Sequence, residues 1–107
     1  MSADGFEKAA ETAEVPPGTS KIVKALGAEI FVVNIDGAFH AFPNKCTHAG
    51  GPLGRGKLTG SVMQCPWHGS KFDMTTGAVV GPPAKIPMVP FDVKVEGTTI
   101  WVRKTQS

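Results

Sequence analysis

The chain of 107 residues has no tyrosine, two cysteines, three histidines and no large excess of either charge. Each shortage narrows the possibilities. A net charge of +2 excludes the strongly basic character of a dedicated nucleic-acid binder. No apolar run approaches the roughly 18 residues that cross a bilayer. The longest is Ile30-Phe31-Val32-Val33, which reaches Ile35 after Asn34. Met1–Gly5 shows no basic stretch leading into an apolar core, so a cytoplasmic chain with neither nucleic-acid nor membrane partners is expected. In a reducing compartment two cysteines seldom form a structural disulfide, which leaves metal binding or catalysis as their default roles.

Glycine and proline are plentiful, 13 and 9 residues, together about a fifth of the chain. So many helix breakers point to short strands and structured loops. Lys21–Ala25 and Ala28–Ile35 read as strands, the second rich in β-branched residues. Asp36-Gly37 is a tight-turn dipeptide, and Phe39–Phe42 is the return strand of a hairpin. From Asn44 to Pro90 the pattern loosens, with short strand candidates only at Val62–Gln64 and Lys71–Asp73. Alternation returns with Phe91, Val93 and Val95 on one face, then Gly97, then Thr99–Val102, a second hairpin. The expected architecture is all-β, an antiparallel base interrupted by one large irregular insertion.

Both cysteines and two of the three histidines lie in that insertion. They fall in two short loops, Cys46-Thr47-His48 and Cys65-Pro66-Trp67-His68, separated by sixteen residues. Each loop offers one thiolate and one imidazole. Gly50-Gly51-Pro52-Leu53-Gly54 follows the first, and Gly69 closes the second. Such close ligand spacing needs the dihedral range and close backbone approach that glycine and proline supply. A Cys2His2 set can also hold structural zinc, giving an interaction module as the alternative reading. His40 has no cysteine nearby and reads as an ordinary strand residue.

The arrangement resembles the Rieske iron–sulfur proteins. Their ligand loops read C-x-H-x-G-x-x-L and C-P-x-H-G, as Cys46–Leu53 and Cys65–Gly69 do here. Gly81-Pro82-Pro83-Ala84 looks like their shielding proline loop, and the overall likeness is greatest to the small soluble Rieske ferredoxins. The resemblance implies one [2Fe–2S] cluster, with Cys46 and Cys65 on one iron and His48 and His68 on the other. It implies a single domain over 1–107: a sandwich or barrel base at about 6–43 and 87–103, and a cluster-binding subdomain at about 44–86. For Phe6–Glu14 local composition favours helix, whereas the family pattern implies a first strand and a short turn.

With neutral histidines the oxidised centre is formally neutral, because +6 from two ferric ions is cancelled by two sulfides and two thiolates. Adding an electron to a neutral centre is easier than adding one to the −2 centre of a four-thiolate cluster, which explains the raised potential of histidine ligation. Leu53, Trp67, Ser70, Phe72 and Pro82 are the residues expected around the ligands. Trp67 and Phe72 are expected to pack, and Ser70 to offer an O–H to a cluster sulfur. Phe72 stands where high-potential relatives place a hydrogen-bonding tyrosine, so a potential in the lower part of the roughly −150 to +300 mV Rieske span is expected.

The large Rieske oxygenases add a second, mononuclear iron held by two histidines and a carboxylate, and only His40 is spare here. The chain also lacks a glycine-rich dinucleotide fingerprint. The resemblance therefore implies a carrier rather than an enzyme: a monomer taking single electrons from a flavin-dependent ferredoxin reductase and passing them to a terminal oxygenase or other acceptor. Charge is uneven along the chain. Residues 45–86 hold five basic residues against Asp73, and the remainder six basic against eight acidic. This reads either as ordinary solvated surface or as a basic collar suited to an acidic partner.

Overall fold

A computed structural model describes residues 5–45, 50–67, 69–82 and 84–104. Ten strands are formed, with no α-helix among the described residues. The strands are β1 (Glu7–Glu11), β2 (Ser20–Ala25), β3 (Ala28–Ile35), β4 (Ala38–Pro43), β5 (Lys57–Thr59), β6 (Val62–Gln64), β7 (Lys71–Asp73), β8 (Val79–Gly81), β9 (Asp92–Glu96) and β10 (Thr99–Arg103). They make three antiparallel sheets, ordered β1-β10-β9, β2-β3-β4 and β5-β6-β7-β8.

The sheet β2-β3-β4 is the middle layer. On β3, Phe31, Val33 and Ile35 point into one apolar cluster with Leu53, Met63, Cys65, Phe72 and Met74. Ile30 and Val32 point the other way, into a second cluster with Ala10, Val15, Ile100 and Val102. A strand covered on both faces needs a continuous apolar run rather than alternation, and Ile30 to Val33 supply it, each at most 1% exposed. Phe31 and Phe42 stack across the β3–β4 pair with ring centroids 5.7 Å apart. Burying each such ring contributes about 1.5–3 kcal/mol. Asn34 takes the next inward position and is satisfied by donating to the Val15 carbonyl and accepting from the Gly37 amide, each at 2.8 Å.

Turn chemistry fixes the registers. Asp36 and Gly37 both have positive φ, 53° and 92°, the geometry that joins β3 to β4 in a two-residue loop. Leu26-Gly27 makes the same turn between β2 and β3, with φ of 59° and 78°. Glu7 steadies it by accepting the Leu26 amide proton at 3.0 Å.

The helix-favouring Glu7-Lys8-Ala9-Ala10-Glu11 segment is a strand, because pairing with β10 outweighs its local preference. The 3-10 turn Thr12–Glu14 follows. Val62–Gln64 and Lys71–Asp73 are strands as expected, whereas β5 and β8 are additions the sequence reading missed. Val95 shares a face with Val93 but lies on an edge strand and is 43% exposed.

Candidate metal centre

Strands β6 and β7 form a hairpin whose loop begins at Cys65. Gln64 pairs with Lys71, the Cys65 amide donates to the Ser70 carbonyl at 2.7 Å, and the Gly69 amide donates back to the Cys65 carbonyl at 3.1 Å. Gly69 has φ of +79°, a conformation that glycine adopts without strain. Alternation along β6 turns Met63 and Cys65 inward and Gln64 outward. Cys65 is consequently 2% exposed and packs in the same apolar cluster as Leu53 and Phe72.

The first loop leaves β4 through Asn44, a residue the sequence reading did not single out. Its amide donates to the Glu29 carbonyl at 3.1 Å, and its side-chain oxygen accepts the Gly54 amide proton at 2.7 Å. One buried side chain thus pins both ends of the loop. A Cβ on Gly54 would sit 2.8 Å from that same oxygen and from Phe31 Cβ, so only glycine fits. Leu53, 0% exposed, plugs the following 3-10 turn into the core. An asparagine directly after a strand and ahead of a glycine-rich loop was the available signal for this clamp.

The two loops meet at Gly51. A Cβ there would lie 2.9 Å from Trp67 Cγ and Cδ2 and 3.0 Å from Cys65 Sγ. Trp67 is otherwise 57% exposed, which corrects the expectation that it packs in the interior. It follows the inward-facing Cys65 on a loop that turns toward solvent, and its ring lies over Gly51. Phe72 does pack as expected, fully buried opposite Met63.

The third loop is tied to the second. Ser70 is 0% exposed, and its Oγ accepts the Ala84 amide proton at 3.0 Å. Its oxygen thus serves the segment after β8, a role the sulfur-donor expectation did not include. Pro82 is exposed at the end of β8. Cys46, His48, His68 and Pro83 lie outside the described residues. His40 stands on β4 opposite Val33, and burial pushes its imidazole below the usual histidine range, opposed by the Asp73 carboxylate.

A buried thiol on a tight hairpin, contacted by a second glycine-rich loop that leaves no room for a methyl group, fits a centre shared between the two loops. Comparison with known proteins decides its type. The Rieske [2Fe-2S] domain pattern matches residues 6–105. The chain belongs to the Rieske [2Fe-2S] family. This Rieske chain is 36% identical over 98 residues to the biphenyl dioxygenase ferredoxin subunit of Pseudomonas sp. (strain KKS102), covering 91% of this chain and 90% of that one. Its fold matches the ferredoxin of carbazole 1,9a-dioxygenase from Nocardioides aromaticivorans IC177 with a TM-score of 0.86 and 31% identity, over 94% and 98% of the two chains. It also matches a chain of a complex of reduced oxygenase and oxidised ferredoxin in carbazole 1,9a-dioxygenase, with a TM-score of 0.88, 30% identity and coverage of 96% and 98%.

The Rieske chain therefore uses one Rieske-type [2Fe–2S] cluster and acts as an electron carrier rather than a catalyst. This sets aside the zinc-module reading. Among the described residues no helix is long and apolar enough to cross a membrane.

Proposed function

We propose that this Rieske ferredoxin accepts single electrons from a flavin-dependent ferredoxin reductase and delivers them to a terminal oxygenase, as a cytoplasmic monomer. In this reading Cys46 and Cys65 hold one iron and His48 and His68 the other. The base comprises about residues 6–43 and 87–103, and the cluster-binding subdomain about 44–86. The contact of Gly51 with Cys65 and Trp67 carries the assignment, because it joins the two loops that contain the four ligand-type residues. The relatives support the acceptor, since they are components of biphenyl and carbazole dioxygenase systems.

When bound, the cluster supplies reversible one-electron transfer. The protein's part is to position and exclude. The inward turn of Cys65 presents its thiolate from the interior, where lower polarity strengthens its attraction to iron. Leu53 and Phe72 close the apolar side and limit water. Ser70, by holding Ala84, keeps the third loop against the second.

Reconstituted protein is expected to contain two irons and two acid-labile sulfides and to give a rhombic EPR signal on reduction. Cys65→Ser should lose both the metal and the signal. A colourless protein that retains zinc would overturn the assignment.

A further inference from the structure

The outward face of the β5-β6-β7-β8 sheet carries a continuous groove. A cleft of about 350 Å³ at the second ligand loop is lined by Arg55, Lys57, Gln64, Cys65 and Gly69, among others. A second of about 570 Å³ runs on across the sheet, lined by Lys57, Thr59, Val62, Gln64, Lys71 and Val80. Lys57 and Gln64 line both, because the register places Lys57, Gln64 and Lys71 side by side across three strands. Among the described residues three cations line the groove and no carboxylate does. Asp73 shares this face and keeps its charge, since its carboxylate accepts from the Thr75 amide at 2.8 Å and hydroxyl at 2.6 Å, so the face carries three cations against one anion.

Beyond the cluster sheet, Lys8 pairs with Glu11, Lys21 with Glu14, Lys94 with Glu96 and Arg103 with Asp92. Arg55, Lys57 and Lys71 make no ion pair among the described residues. Among the described residues Lys24, Lys45, Lys85 and Lys104 also stand outside ion pairs, so what marks the groove is that three such cations lie together. Three cations against one carboxylate beside the Cys65 loop form a net positive field that attracts an acidic surface and speeds its approach.

We propose that this groove docks an acidic face of the protein that donates the electron. The inference rests on the carrier reading above, and redox charge selects the donor over the acceptor. A donor must bind the oxidised carrier and leave the reduced one. The oxidised centre is neutral and leaves the three cations at full strength. One added electron cancels the charge of one of them, so an acidic donor is held before transfer and loosened after it. An acceptor needs the opposite order.

Stopped-flow kinetics on the cluster-loaded protein test this with two probes, the hydroquinone of flavodoxin as an acidic flavoprotein donor and ferricytochrome c as a basic acceptor. In Lys57→Gln/Lys71→Gln, reduction by flavodoxin at low ionic strength should slow by about tenfold and lose most of its salt dependence. Reoxidation by cytochrome c should be unchanged or faster. Lys24→Gln/Lys104→Gln removes the same net charge elsewhere and should leave flavodoxin reduction near wild type. Equal slowing by both double variants, no slowing by the groove variant, or equal slowing of both electron transfers would overturn the proposal. A groove variant that changes oligomeric state on gel filtration would also overturn it, by making the face a self-contact. Failure of the carrier reading looks different: the wild-type protein itself would lack the reduced rhombic EPR signal.

Discussion

Ser70 offers a sharp test of how the second and third loops are held together. Its Oγ accepts the Ala84 amide proton at 3.0 Å, with Ser70 0% and Ala84 5% exposed. Ser70→Ala removes the acceptor and leaves a buried N–H that water cannot readily reach. Leaving such a donor unsatisfied costs about 1–3 kcal/mol. For a domain of this size that corresponds to a fall of about 5–15 °C in the unfolding midpoint. Unfolding of the cluster-loaded protein under argon, with hydrogen exchange followed at the Ala84 amide, reads both the global and the local effect. Exchange at Ala84 should accelerate, and Ser70→Thr, which keeps the hydroxyl, should restore much of the protection. The potential measured on the same variants separates a second role: a fall in Ser70→Ala would show that the hydroxyl also donates to a cluster sulfur. An unmoved midpoint together with unchanged Ala84 exchange would refute the tie between the loops.

Three further outcomes follow from the geometry. Gly77 has φ of +86°, and an added Cβ would overlap the Met88 carbonyl oxygen, so Gly77→Ala should cost about 2–5 kcal/mol in denaturant unfolding. Gly51→Ala pushes against Trp67 and Cys65 Sγ; Trp67 can swing into solvent but the buried thiol cannot, so iron content after reconstitution should fall while Gly51→Ala/Trp67→Ala gives only partial rescue. Burial depresses the His40 pKa, so the folded protein binds fewer protons there than the unfolded chain, and stability falls as pH drops from the ordinary histidine value of 6.5 toward the depressed one. His40→Gln should flatten the fall in denaturation midpoint over that acid interval, and an unaltered slope would count against this role.

The legible parts of the sequence were those where local pattern and tertiary environment agree. Asp36-Gly37 can form a two-residue turn, so the β3–β4 hairpin was evident, and the short alternations at Val62–Gln64 and Lys71–Asp73 gave β6 and β7. Lys57–Thr59 and Val79–Gly81 were missed because, as edge strands, they bury no residue fully, whereas β6 and β7 each centre on a buried apolar residue, Met63 and Phe72; pairing with β6 and β7 makes the outer segments strands. Glu7–Glu11 pointed to helix by composition and to strand by family likeness, and β10 decided it. The ligand-type residues stood out because cysteine and histidine are so scarce. The groups that shape their surroundings did not. Asn44 acts through a contact ten positions away, and the exposure of Trp67 depends on which way its hairpin loop turns.

The Asn44 clamp has a consequence for how this molecule can change. One side chain fastens the departure and the return of the first loop to each other, and its backbone is fastened to Glu29 on the middle sheet. Both ends of the loop therefore share a single anchor, and the requirement for glycine at 54 is tied to the identity of residue 44, so a change at either position has to be answered at the other.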